Sequence, residues 1–136
     1  MSLFKAFEIA ASGVTAQSQR LNATASNLAN AESAAGPGGK AYQARQVVFQ
    51  TARLDAKDAS TQGVRVKGVI EDTSAPRRVH DPKHPLADET GYVTLPNVSV
   101  ADEMVNMLSA SRSYQSNLEV MNTARSLLLK TLTLGT

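Results

Sequence analysis

Apolar residues recur every seven positions near both ends of this 136-residue chain, and that spacing constrains its fold more than any other feature. The amino-terminal series comprises Phe7, Val14, Leu21 and Leu28, interleaved with Phe4, Ala11, Ser18 and Ala25. A seven-residue repeat with a 3–4 alternation is typical of a narrow seam between packed helices. The pattern therefore predicts a helix over residues 3–29.

The carboxy-terminal repeat is longer. Val100, Met107, Tyr114, Met121 and Leu128 form one series, and Met104, Ser111, Leu118, Arg125 and Leu132 form the other. Ser99 with Asp102 is an acidic variant of a capping box, and Pro96 stops the helix from extending backwards. Residues 99–134 contain no Gly or Pro, so they predict a helix of roughly 50 Å. A helix with so narrow an apolar seam needs a partner helix.

The middle of the chain has a different character. Residues 42–51 and 63–72 predict two strands of a β-hairpin, with a possible bulge at Gly68. Four prolines between residues 74 and 96 favour extended chain and turns. We predict a mainly α fold with a small β element, in which the terminal helices pair as a coiled-coil-like hairpin. Residues 1–33 and 97–136 would form one discontinuous helical domain, and residues 34–96 a central region with a β-hairpin and a proline-rich extended segment.

Composition excludes several classes of protein. Without cysteine the chain has no disulfides and no thiolate metal sites. Its longest purely apolar run is residues 127–129, so we expect no direct membrane span. The first residues lack a basic segment followed by an apolar one, so we also expect no cleaved signal peptide. A net charge of +2 spread over the whole chain argues against a nucleic-acid partner.

The sequence offers no strong catalytic or cofactor site. His80 and His84 invite a metal hypothesis, but Pro82 and Pro85 exclude a helix and leave only a loop site. The alternative is that both histidines are solvated or cap turns. No nucleophile lies in an elbow motif, and the acidic pairs lie in polar sequence where pKa shifts would be small. We therefore predict no enzyme activity, no cofactor and no metal site.

Uncharged polar residues line the outer faces of both predicted helices, and Gln17, Asn22, Ser109 and Asn117 are examples. Solvated coiled-coil faces usually carry many Glu, Lys and Arg residues. Amides and hydroxyls can instead bond to several neighbours without the desolvation cost of a charge. A plain intramolecular helical hairpin remains possible, but this composition favours helices surrounded by other helices.

Several motifs are recognisable. Residues 26–33 (SNLANAES) resemble the amino-terminal signature of flagellar rod, hook and hook-associated proteins, and residues 103–105, 112–117 and 121–123 resemble the signature at their other end. Residues 42–49 (YQARQVVF) and 81–93 (DPKHPLADETGYV) are similar to the FlgC type of basal-body rod protein. The resemblance spans nearly the whole chain. Where many axial proteins follow the Asn30 motif with Thr and Gly-Tyr or Gly-Phe, this chain has a Gly-rich insertion before Tyr42.

The resemblance implies a structural subunit of the proximal rod of the bacterial flagellum. Such subunits polymerise with other rod proteins into a hollow helical shaft that crosses the periplasm, transmits torque and forms part of the export channel. The implied partners are further copies, other rod proteins, the flagellar type III export apparatus, and membrane-ring and rod-base proteins. Asn27 and Asn30 then join the heptad residues as assembly or helix-packing positions. A helical type III effector or chaperone, or a small periplasmic enzyme acting on cell-wall glycan, are the alternatives.

Overall fold

The computed structural model describes residues 2–135 as two long helices with two small β-hairpins between them. In chain order the elements are α1 (Leu3–Ala29), β1 (Arg45–Arg53), β2 (Gln62–Glu71), β3 (Arg77–His80), β4 (Tyr92–Leu95) and α2 (Val100–Leu134). Both predicted helices are present, so the mainly α class with a small β element is confirmed. Residues 1 and 136, which the predicted terminal units include, lie outside the described residues.

Both helices begin at side-chain caps. The Ser2 hydroxyl accepts a hydrogen bond from the Lys5 amide at the start of α1, and Ser99 accepts one from the Asp102 amide at the start of α2. Such caps satisfy amides that have no partner inside the helix. At the other end of α1, the amide of Asn30 bonds to Ser26 O, and its side chain bonds to the same carbonyl. Of these caps, only that of Ser99 was predicted from the sequence, and the structure confirms it.

The first hairpin pairs β1 with β2 in antiparallel register from Arg45↔Glu71 to Arg53↔Gln62. The register shifts between Val48 and Phe49, because Val48 lies opposite Gly68 whereas Phe49 lies opposite Val66. The strand on the β2 side therefore holds one extra residue, which is the bulge predicted near Gly68. The hairpin packs along α1.

A second antiparallel hairpin, β3 with β4, lies in the segment predicted to be only extended and proline-rich. The prediction of a single hairpin was therefore incomplete. Pro76 and Pro96 lie directly outside the two strands, and Pro82 and Pro85 lie in the loop between them. The strand pairing does not use a backbone amide at any of these four positions, so the prolines are compatible with the hairpin. An isolated bridge from Ala35 to Thr94 attaches β4 to the segment after α1.

A small apolar cluster lies where the two helices and the two hairpins meet. It contains Ala31, Ala44 and Val98, with Tyr42 packed against it. Burial raises the pKa of the Tyr42 hydroxyl above its ordinary value. Apart from this cluster and the helix contact, the chain has little apolar interior, in line with its low aromatic content.

Candidate assembly surface

The two helices run antiparallel and approach each other closely near their centres. Gly13 of α1 faces Asn117 of α2, and a Cβ atom at Gly13 would lie only 2.8 Å from the Asn117 amide group. Leu3 and Ala6, at the start of α1, line the same cleft as Leu127 near the end of α2. Small side chains at the contact allow this close approach of the backbones.

The inner line of α2 differs from the predicted seam. Its buried residues are Glu103, Ala110 and Ala124, and Asn117 continues the same seven-residue spacing. This line lies one residue before the predicted series of Met104, Ser111, Leu118, Arg125 and Leu132. Met104 is 57% exposed and Leu132 is also exposed, so neither side chain is buried within the single chain. Sequence reasoning chose the larger apolar side chains, whereas alanines and polar residues occupy the line of closest approach.

The other predicted packing residues lie around this contact at intermediate depth. Those that are half-buried are Phe7, Val14, Leu21 and Leu28 of α1 and Met107, Tyr114, Leu118, Met121 and Leu128 of α2. Phe4 and Val100 are exposed. The buried residues of α1 are instead Ala10, Gly13, Ala16, Thr24 and Asn27. The large apolar side chains therefore flank the line of closest approach instead of forming it.

Exposed apolar side chains surround α2. They are Val100, Met104, Val105, Leu108, Val120, Leu127, Leu129, Leu132 and Leu134. At about 100° per residue, these positions spread over roughly 240° of the helix circumference. That spread is much wider than the apolar stripe by which a helix packs on one neighbour. Among the elements of residues 2–135, only α1 packs on α2. A helix that is apolar on several sides is normally buried on several sides.

Asn27, one of the predicted packing residues, joins α1 to the start of β1. Its side chain is 1% exposed. The amide nitrogen donates to Arg45 O at 2.8 Å, and Oδ1 accepts from Arg45 N at 2.8 Å and from the Tyr42 hydroxyl at 2.7 Å. Every strong polar group of this side chain except one N–H is thus used inside the chain. The structure therefore gives Asn27 an internal role.

Asn97, which the sequence analysis did not select, makes a second contact of this kind. Its Oδ1 accepts from Ala44 N at 2.8 Å, and its amide nitrogen donates to Asp72 O at 3.0 Å and to Ser74 O at 3.1 Å. Its partners lie 53 and 25 residues away in sequence, so no local signal predicts them. Asn27 and Asn97 together hold the hairpin base, residues 42–45 and 71–74.

Further contacts fix the first hairpin along α1. The Ser12 hydroxyl accepts from Val64 N at 3.1 Å, midway along α1. At the far end the Lys5 ammonium donates to Asp58 in the loop after β1. This ammonium, together with the hydroxyl and amide of Ser60, lowers the pKa of Asp58 well below its ordinary value. The hairpin is therefore held at its base and at two points near its tip.

The two histidines lie in the second hairpin and its loop. His84 Nδ1 accepts from Leu86 N at 3.0 Å, and the His80 ring meets Tyr92 edge-on with centroids 5.0 Å apart. His84 is thus a turn-capping histidine, one of the alternatives left open by the sequence. Within residues 2–135, no group of three or more His, Asp or Glu side chains is placed to hold a metal ion. Nor does any helix in that range have the length and apolarity needed to cross a membrane.

Comparison with known proteins decides the family. A family model described as "Flagella basal body rod protein" matches residues 7–37, and one described as "Flagellar basal body rod FlgEFG protein C-terminal" matches residues 89–134. The chain is 58% identical to a flagellar basal-body rod protein FlgC of Yersinia enterocolitica over 135 residues, which is 99% of each chain. The FlgC of Salmonella typhimurium is 56% identical over 136 residues, again 99% of each chain. The chain belongs to the FlgC family of flagellar basal-body rod proteins.

Membership in this family makes the chain a structural rod subunit of the flagellum and confirms the resemblance found in the sequence. The family is one of structural proteins and not a class of enzymes. Its assembly with other rod proteins follows from the family as well. In that setting the exposed apolar residues of α2 are candidate contacts between subunits, whereas Asn27 and Asn97 maintain the shape of each subunit.

Proposed function

We propose that this chain is a subunit of the proximal rod and packs its paired helices against neighbouring subunits in a hollow helical shaft. The observation that carries the proposal is the apolar surface around α2, which α1 covers on one side only. Leu108, for example, is 69% exposed within the single chain. Burying such side chains between subunits contributes roughly 2 kcal/mol for each large apolar residue. The predicted packing residues that remain exposed, Phe4, Val100, Met104 and Leu132, would then be contacts between subunits.

Charge distribution supports an arrangement with the helices inside and the hairpins outside. Sixteen of the 26 acidic and basic side chains lie between residues 40 and 89, in the region of the two hairpins. Charged side chains lose free energy when they are removed from water, so the hairpins suit the outer surface of the shaft. The helices carry mostly uncharged polar groups between their apolar residues. We infer that residues 1–33 and 97–136 act as one helical unit and that residues 34–96 lie outside it.

A shaft built in this way would transmit motor torque and would enclose part of the export channel. Its partners would be further copies, other rod proteins, and the membrane-ring and rod-base proteins beneath it. The chain would reach its place across the periplasm through the flagellar type III export apparatus, without a cleaved signal peptide. These finer statements rest on the family resemblance together with the polar, largely uncharged surfaces of the helices.

Thiol labelling tests the arrangement, because the chain has no cysteine of its own. Leu108→Cys and Lys67→Cys would each be expressed in a bacterium lacking its own copy, and isolated basal bodies would be treated with a maleimide. Lys67 lies at the bulge of the first hairpin and is exposed. We expect Lys67→Cys to react in basal bodies and Leu108→Cys to be protected.

Both variants should react fully when the purified chain is dilute, which controls for reactivity of the thiols. Equal labelling of Leu108→Cys in basal bodies and in the dilute chain would contradict the proposed contact. Recovery of the chain in the culture medium and not in basal bodies would contradict the proposed function as a whole.

A further inference from the structure

Asn97 contacts three backbone groups at the base of the first hairpin. One of them lies just before β1, and the other two lie just after β2. Its Oδ1 accepts a hydrogen bond from the Ala44 amide, and its amide nitrogen donates to the carbonyl oxygens of Asp72 and Ser74. The Asp72 amide in turn donates to Ala44 O at 2.8 Å, so the two sides of the hairpin base are also hydrogen-bonded to each other. We propose that Asn97 is a positioning residue that aims the first hairpin along α1 in the assembled rod, and that normal swimming requires this direction of the hairpin. This inference rests on the proposed function.

An amide side chain is suited to this position because the site needs an acceptor and two donors at once. A carboxylate would accept from Ala44 and could accept from the Ser74 hydroxyl, which lies 3.1 Å from the Asn97 amide nitrogen, but it could donate nothing. Its charge would face the two carbonyl oxygens of Asp72 and Ser74. Leaving buried or half-buried backbone groups without partners disfavours the bonded arrangement. Asn97→Asp is therefore nearly the same size as the natural residue but has the wrong hydrogen-bonding capacity.

The length of the hairpin amplifies any change at the base. A nine-residue strand such as β1 extends about 30 Å. A tilt of about 20° at the base would move the tip by about 10 Å on that length. The contact between Lys5 and Asp58 at the tip could not survive such a displacement. Formation of the Lys5–Asp58 contact therefore reports the direction of the hairpin from its far end.

A carbodiimide, which couples an amine to a carboxylate only when the two touch, can measure this contact in the native side chains. The probe would be applied to isolated basal bodies, and the Lys5–Asp58 amide would be quantified by mass spectrometry. We expect Asn97→Asp to lower the yield at least fivefold relative to the natural chain and to reduce swimming. Gln46→Glu, which places the same charge on an exposed residue near the hairpin base, should keep the natural yield.

The pH dependence separates this role from general destabilisation. The carbonyl oxygens of Asp72 and Ser74 disfavour the ionised form of an Asp at position 97, so its pKa should lie above the ordinary value. The protonated form regains one donor, so the cross-linking yield of Asn97→Asp relative to the natural chain should rise as the pH falls from 7 towards 4.5. Asp58 stays ionised over that range, because its pKa is held far below it. Should Asn97→Asp not accumulate, the same measurement on Asn97→Ser, which keeps one donor and one acceptor, should give an intermediate yield.

The proposal would be overturned if the Lys5–Asp58 cross-linking yield in Asn97→Asp equalled that of the natural chain. The same holds for Asn97→Ser if that variant is used. If the yield of Asn97→Asp relative to the natural chain did not change between pH 7 and 4.5, the hydrogen-bonding basis of the proposal would be overturned. Failure of the natural chain itself to restore swimming would instead refute the proposed function, whatever the cross-linking yield.

Discussion

Asp88 organises the loop between β3 and β4 with a single carboxylate. One oxygen accepts from the Thr90 hydroxyl at 2.7 Å and from the amides of Thr90 and Tyr92, and the other accepts from Arg78 at 2.6 Å. Bonds to the ionised form, led by that from the Thr90 hydroxyl, lower the pKa of Asp88 from 3.8 to about 2. The carboxylate is solvent-accessible, so this arrangement shapes the loop more than it stabilises the whole chain.

Acid should therefore loosen the second hairpin in a defined pH range. A depressed pKa in the folded state contributes stability that is present above the unfolded value and is lost as the pH falls through the folded value. We expect the order of the β3–β4 loop to be constant above about pH 4 and to decrease between pH 4 and 2, in line with those two values. Amide exchange at Thr90 and Tyr92 would follow the change.

Asp88→Asn provides the matched control, because it keeps an acceptor for the same donors but does not titrate. Exchange at the two amides should be faster in this variant and independent of pH over the same range, after correction for intrinsic rates. An unchanged acid response in Asp88→Asn would assign the transition to another group.

Sequence reasoning succeeded at the residue scale where the partner was local and failed where it was distant. Ser99 was identifiable as a cap because its partner is three residues away. Asn27 was selected from a motif, but its bonds to residues 42 and 45 were not predicted, and Asn97 was missed. A side chain that serves backbone groups from a remote segment leaves no periodic or local signal.

At the scale of elements, the helices were predictable almost to the residue because their seven-residue repeat and caps agree. The first hairpin was predictable from two runs of β-branched residues, although β1 begins at residue 45 and not at 42. The second hairpin was not, because its strands have four residues each and lie among prolines. Strands this short show too few alternations to form a pattern.

The side-chain size at the helix contact gives a second prediction. Gly13→Leu would place a large group where even a Cβ lies 2.8 Å from Asn117, and overpacking of this kind costs about 1–3 kcal/mol. We expect the chain to dissociate from isolated basal bodies at a lower temperature than the natural chain. A gain in helix propensity of about 1 kcal/mol from replacing Gly offsets only part of that cost.

The double variant with Asn117→Ala tests whether the loss arises at this contact. Removing the Asn117 amide opens space opposite residue 13. The double variant should therefore recover more than half of the decrease in dissociation temperature that Gly13→Leu causes. Strictly additive effects of the two substitutions would mean that the two positions do not interact in the assembled rod.

At the scale of the whole molecule, the chain has far more apolar helix surface than it covers. The side chains exposed on α2 include Met104, Val105 and Leu108 within fewer than two turns, and Leu129, Leu132 and Leu134 near its end. The interior that the chain does form contains mainly alanines and a few larger residues. Free energy from apolar burial must therefore come largely from neighbouring subunits.

Folding of the helices should accordingly depend on incorporation into the rod. In a dilute purified chain, we expect amides of residues 5–28 and 100–132 to exchange within about tenfold of the rate of an unstructured chain. The contact between the helices is built from small residues, and few ion pairs support either helix alone, so neither helix has enough intrinsic stability. On the export route proposed above, an unfolded helix pair would also pass through a narrow channel and could not polymerise early. The same amides should be strongly protected in isolated basal bodies, where neighbouring subunits cover α2. Strong protection of both ranges in a chain confirmed to be monomeric would show that the helix pair is stable by itself, and folding would then precede assembly.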